Sequence, residues 1–142
     1  AANVHPEILC STSHNGNVWC ASREENYELL GDVLTELAAL FPSKYFHLGG
    51  DEVNMSQWMA CPECRELMRK EGLKSGHELE GYFLSRLVKV LEGLGKTAVV
   101  WNEAINGDNL TKDVLVSGWE DVDACLDATA KEWPPPPAVP ST

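Results

Sequence analysis

Asp51 and Glu52 stand side by side in the stretch Phe46 to Asn54, FHLGGDEVN. Adjacent carboxyls repel, so one of them holds a proton more readily, and a single site then supplies both a general acid and an anion. A lone acidic doublet is ordinarily a helix cap or a solvated loop. This one follows Gly49 and Gly50, which let a backbone turn tightly and approach a ligand closely at the end of an apolar run. Further along, Trp101 is followed by Asn102 and Glu103, and Trp119 by Glu120 and Asp121. An indole offers its flat face to the C–H face of a pyranose, while carboxylates accept the hydroxyls. For one tryptophan a core position at a strand end is the default reading. Two of them in equivalent positions beside paired acids point to a sugar site.

The surrounding pattern says what must hold these residues. Ser22 with Glu25 has the form of a capping box, and Tyr27, Leu30, Leu34, Leu37 and Phe41 follow as one helical stripe, stopped by Pro42. Tyr45 to Leu48 reads as a short buried strand ended by the two glycines. A short helix is expected from about Glu63 to Glu71, closed by Gly72. A second capping box, Ser75 with Glu78, opens a longer helix whose buried face is expected to be Leu79, Phe83, Leu87, Val90, Leu91 and Leu94. TAVVW, Thr97 to Trp101, and VLVSGW, Val114 to Trp119, are two further continuous apolar strands. Continuous apolar strands separated by crossovers indicate a parallel sheet covered on both faces, hence an α/β fold. In such folds the ligand site lies at the carboxyl ends of the strands, where each acidic group here falls. Residues 1–131 form one unit on this reading. WPPPPAVPST, within 132–142, lacks ladder donors and reads as an irregular tail.

Composition limits the partners. The 142 residues include 22 acidic and 11 basic ones, a formal charge of -11, which repels phosphate backbones and anionic lipid. Nucleic acid and membrane are therefore discounted, and no apolar run is long enough to span a bilayer. The chain opens on Ala1, not on methionine, and reads as a section of something longer. Of the five cysteines, Cys61-Pro-Glu-Cys64 is a C-x-x-C, and only Cys10 and Cys20 offer it a second pair. They are read as partly paired or free structural thiols, with a four-thiolate zinc site as the alternative. The acid chemistry calls for no cofactor, and no metal is assigned. Asn54-Met-Ser56 and Asn109-Leu-Thr111 fit the glycosylation sequon, a pattern that often arises by chance.

HLGGDEV, with Pro6-Glu7 upstream and VVWNE and VSGW downstream, resembles glycoside hydrolase family 20, the β-N-acetylhexosaminidases. NYELL, LFPSKY and CPEC are also familiar from bacterial members, and the resemblance runs from about His5 to Trp119. It implies a partial (β/α)8 TIM barrel, from the end of strand three through strand six. It implies that Glu52 is the general acid and later the base, and that Asp51 orients the 2-acetamido group of the substrate. That group's carbonyl oxygen attacks the anomeric carbon and forms an oxazolinium ion, the substrate-assisted exception to the two-carboxylate scheme. Trp101 and Trp119 are then expected to wall the pocket, with His47 and Glu103 in support, although His47 reads equally well as a satisfied core histidine. The implied partners are oligosaccharides or glycoconjugates ending in N-acetylhexosamine, and the implied location is secreted or periplasmic.

The family's other sugar-gripping residues have no counterpart here, so the remainder of a longer hydrolase chain is expected to be required and this chain alone to be weakly active or inactive. Two rivals remain. One is a non-catalytic carbohydrate-binding or truncated remnant. The other is a diguanylate cyclase, whose GGDE motif sits in a hairpin; here VNMSQWMACPEC follows, without strand alternation.

Overall fold

The computed structural model describes residues 5–11, 18–119, 122–131 and 133. Its elements are α1 (Glu24–Leu40), β1 (Tyr45–His47), α2 (Met55–Ala60), α3 (Pro62–Glu71), α4 (Gly76–Gly93), β2 (Thr97–Trp101), β3 (Val114–Ser117) and α5 (Val122–Ala130), with 3-10 turns at Pro6–Ile8 and Asn102–Ile105. The strands form one parallel sheet in the order β1-β2-β3. The register pairs Phe46 with Ala98, Val99 with Leu115, and Trp101 with Ser117. The α/β expectation holds.

β2 is the central strand, and Ala98, Val99 and Val100 are buried. Helix α4 covers it, placing Leu84, Leu87, Val88 and Leu91 against Ala98, Val100, Val114 and Val116. The expected face of α4 is therefore rotated: Phe83, Val90 and Leu94 are only half-buried, while Glu80 and Gly81 turn inward. Gly81 makes that possible, because a Cβ there would stand 2.2 Å from Asn109 Oδ1. β1 was expected to be buried, yet Tyr45 is 40% exposed. With one strand beside it instead of two, β1 is an edge. The ladder nevertheless continues past it, through Leu48 N–H to Val99 O (2.8 Å) and Trp101 N–H to Gly49 O (2.9 Å).

The first capping box does not form. Arg23 is the N-cap of α1 without a side-chain cap bond, and the Ser22 hydroxyl instead meets Cys20 Sγ at 3.2 Å. The second forms, with Glu78 N–H donating to Ser75 Oγ at 3.1 Å while the Glu78 carboxylate accepts from Lys74 N–H. Arg86 ties α4 to α1 by pairing with Glu24 and lying 3.6 Å over the Tyr27 ring. Helix α2 was not anticipated; Asn54 caps it by accepting from Ser56 N–H. Asn109 likewise donates to Glu78 O, so both sequon asparagines serve the fold.

Trp133, inside the segment read as tail, is buried in the main core and donates its indole N–H to Thr111 O at 3.2 Å. Residues 132 and 134–142 lie outside the described residues. Among the described residues, no helix is long and apolar enough to cross a membrane.

Candidate active site

The site is built where the three strands end. Past β1 the chain runs through Gly49 and Gly50, with φ of +83° and +90°, and Glu52 follows at +48°. A positive φ at a non-glycine residue is costly and persists only where its surroundings impose it. One constraint is steric: a Cβ on Gly50 would lie 2.8 Å from Ala104 Cβ and 3.2 Å from Leu84 Cδ1, so only glycine passes at this point.

A second constraint is Glu103. It leaves β2 in the first turn of the Asn102–Ile105 3-10 segment, anchored by buried Ala104 and Ile105. One of its carboxylate oxygens accepts the Glu52 backbone N–H at 3.0 Å, and the other accepts the Trp119 indole N–H at 3.1 Å. Asn102 Oδ1 also accepts from Trp119 N–H at 3.4 Å. One short segment after β2 thus holds the acid from the end of β1 and the indole from the end of β3.

Asp51, Glu52, Trp101 and Trp119 line an open groove of about 350 Å³. Both acids are exposed, and Trp119 is 50% exposed. Sequence reasoning selected these four separately, and the structure brings them together. His47 is exposed, so it is not a core histidine. Its ring packs against that of Trp101 with centroids 4.4 Å apart and planes tilted by 50°, and its Nδ1 accepts the Gly49 N–H at 3.0 Å. An accepting Nδ1 places the proton of the neutral ring on Nε2. Burial lowers the His47 pKa, partly opposed by the Asp51 charge. Glu120 and Asp121 lie outside the described residues.

Sequence reasoning missed Glu80. It points from α4 under the acidic doublet, is 3% exposed, and leaves Oε1 without a hydrogen-bond partner. With Asp51, Glu52, Trp19 and Trp58 it lines a cavity of about 250 Å³. Desolvation first, then the charges of Glu103 and Asp51, pushes its pKa up to about 8. Of the acids around the doublet, the one inside the protein holds a proton at neutral pH. The signal for it was an acid on the apolar stripe of α4.

The cysteines also gather. The sulfurs of Cys10, Cys20, Cys61 and Cys64 lie within 4.8 Å of one another, all four are free thiols, and all four are buried.

Fold and site together define a parallel α/β protein with an acid- and indole-lined groove at the carboxyl ends of its strands. A family model described as "Glycosyl hydrolase family 20, catalytic domain" matches residues 3–134, and the chain belongs to that family. A β-hexosaminidase of Porphyromonas gingivalis is 39% identical over 123 residues, covering 87% of this chain and 15% of that protein. One of Vibrio furnissii is 41% identical over 113 residues, covering 80% and 18%. Among solved structures, β-N-acetylhexosaminidase from Bacteroides fragilis superposes with a TM-score of 0.82 at 31% identity, over 94% of this chain and 28% of that one. A Vibrio harveyi family 20 exo-β-N-acetylglucosaminidase, solved with N-acetylglucosamine, gives 0.82 and 31% over 93% and 22%. The chain thus spans less than a third of each of these relatives. The diguanylate cyclase reading fails: the doublet leads into helix α2, where that motif requires a hairpin strand.

Proposed function

We propose that this chain carries the acid/base segment of a β-N-acetylhexosaminidase, and that it is the part of a (β/α)8 barrel running from the end of strand three through strand six. The observation that carries the reading is the groove lined by Asp51, Glu52, Trp101 and Trp119. In it Glu52 protonates the leaving glycosidic oxygen and afterwards takes a proton from the attacking water. Asp51 orients the substrate's 2-acetamido group, whose oxygen closes on the anomeric carbon to give the oxazolinium ion, so no enzyme nucleophile is needed. Trp101 and Trp119 wall the acetamido group and the terminal sugar, while Glu103 holds Glu52 and Trp119 in register and His47 supports Trp101.

The substrates are glycoconjugates ending in β-linked N-acetylhexosamine, met outside the cytoplasm in a secreted or periplasmic setting. Among the described residues the parallel sheet is bounded by β1 and β3, and further strands of a longer chain complete the barrel and the sugar grip. The 142 residues alone are weakly active or inactive.

Hydrolysis of a chromogenic N-acetyl-β-glucosaminide tests this, with the matching glucoside as control. Turnover of the acetamido substrate alone, lost in Glu52→Gln, supports the proposal. Equal turnover of both substrates by the longer protein refutes the substrate-assisted route. Sugar binding without turnover in the longer protein favours a carbohydrate-binding remnant.

A further inference from the structure

Four thiols from three separate places converge on one point. Cys10 and Cys20 flank an antiparallel bridge between Leu9 and Trp19, Cys61 caps α3, and Cys64 sits in that helix's first turn. Cys10 Sγ to Cys64 Sγ is 3.6 Å and Cys20 Sγ to Cys64 Sγ is 3.7 Å. A disulfide needs sulfurs at roughly 2.05 Å. A tetrahedral ion with bonds of about 2.3 Å to sulfur instead sets the sulfurs about 3.8 Å apart. These two separations match that edge, and all four sulfurs lie within 4.8 Å of one another.

The Ser22 hydroxyl lies 3.2 Å from Cys20 Sγ, where a donated O–H would orient that sulfur and offset the charge of its thiolate. Val18, Ala21, Trp58, Met68 and Leu79 close an apolar shell around the sulfurs. A buried cysteine is often just a small apolar residue. That reading accounts for burial, but it does not require four sulfurs from distant segments to share one centre.

We infer that Cys10, Cys20, Cys61 and Cys64 form a closed structural site for one zinc ion. Four protein ligands leave no open position, so the ion is structural and not catalytic. On loading, each thiol releases its proton, the four sulfurs bond to Zn²⁺, no electron is transferred, and the centre becomes a dianion. The ion fastens the bridged pairs Leu9–Cys10 and Trp19–Cys20 to α2 and α3. That junction carries Trp58, whose indole N–H donates to Trp19 O at 2.8 Å. Val18, Trp19 and Trp58 form one side of the cavity next to Asp51 and Glu52. The site therefore braces a wall of that cavity from behind.

The test is metal analysis of the protein purified under reducing conditions, followed by exchange with cobalt(II). About one zinc per chain is expected, released by a mercurial that titrates thiols, with the cobalt form showing the visible bands of a tetrahedral tetrathiolate. The Cys61→Ser/Cys64→Ser pair should lose the zinc, while Cys125→Ser keeps it. If the double variant does not fold, the cobalt spectrum of the unaltered protein decides. Four reactive thiols with no bound metal, two disulfides, or iron in place of zinc would each overturn the assignment. These readouts do not depend on hydrolysis, so they stand apart from the proposed activity.

Discussion

Glu80→Gln should remove most of a pH dependence from the stability of the fold. Burial raises the Glu80 carboxyl from an ordinary 4.5 to about 8, so between those values the folded chain keeps a proton that the unfolded chain gives up. Stability is therefore unaffected by this group below pH 4.5, falls as pH rises through the window, and levels off above about 8. Each pH unit inside the window costs about 1.4 kcal/mol, and the loss reaches about 3 kcal/mol at pH 7. Glutamine has nearly the shape of the protonated acid and no proton to lose. Its advantage over the parent should grow by about 3 kcal/mol between pH 4.5 and 7, a difference in melting temperature on the order of 10 °C for a domain of this size. The groups facing Glu80 are Asp51 and Glu103, whose charges add to the shift, and His77, whose Nδ1 lies 4.0 Å from Oε2. Melting curves at half-unit pH steps for parent, Glu80→Gln and His77→Asn provide the measurement. Parallel curves for parent and Glu80→Gln across pH 5 to 8 would falsify the claim that this carboxyl is held neutral by burial.

The remaining predictions concern the groove and the core. Glu103→Gln leaves one oxygen acceptor where two are used, so it frees either the Glu52 N–H or the Trp119 indole. In the longer protein it should lower turnover of the acetamido substrate by roughly tenfold or more while changing melting by only a few degrees. Gly50→Ala forces a methyl against Ala104 and into a φ of +90°, and should cost at least about 1–3 kcal/mol in a urea titration. Trp133→Ala empties a fully buried site and strands the Thr111 carbonyl, which should cost about 3–5 kcal/mol.

What the sequence made legible was the part encoded by local pattern. Alternation of helical stripes with continuous apolar strands sufficed for the parallel α/β class. Glycine and capping chemistry located the end of β1, the close of α3 and the start of α4. The residues lining the groove could be picked out because each lies at or just past the end of a strand, and a parallel sheet brings strand ends together whatever the rest of the fold does. The errors arose where a tertiary contact overrode a local preference. Ser22 has the form of a cap, but it sits beside Cys20 Sγ and leaves that role to Arg23. The true inner stripe of α4 contains an acid and a glycine, so the purely apolar neighbouring stripe was the more convincing pattern. Four prolines after Trp133 disguised a core residue as tail.

Glu80 shows why the misread face matters for function. An acid on the buried side of α4 destabilises the fold at neutral pH, and an apolar residue of similar volume would avoid that cost. Its position makes the cost intelligible: Oε1 lies 3.5 Å from where a Cβ on Gly50 would stand, directly beneath the turn that sets Asp51 and Glu52. A charged group there would add a third negative charge to those of Asp51 and Glu103, whereas a neutral carboxyl adds bulk and polarity without repulsion. In the longer protein, Glu80→Leu should fold at least as stably as the parent at pH 7 yet turn over the acetamido substrate more slowly. In contrast, Glu80→Gln should keep both stability and turnover. Equal turnover in the leucine and glutamine variants would show that Glu80 only fills space beneath the acids.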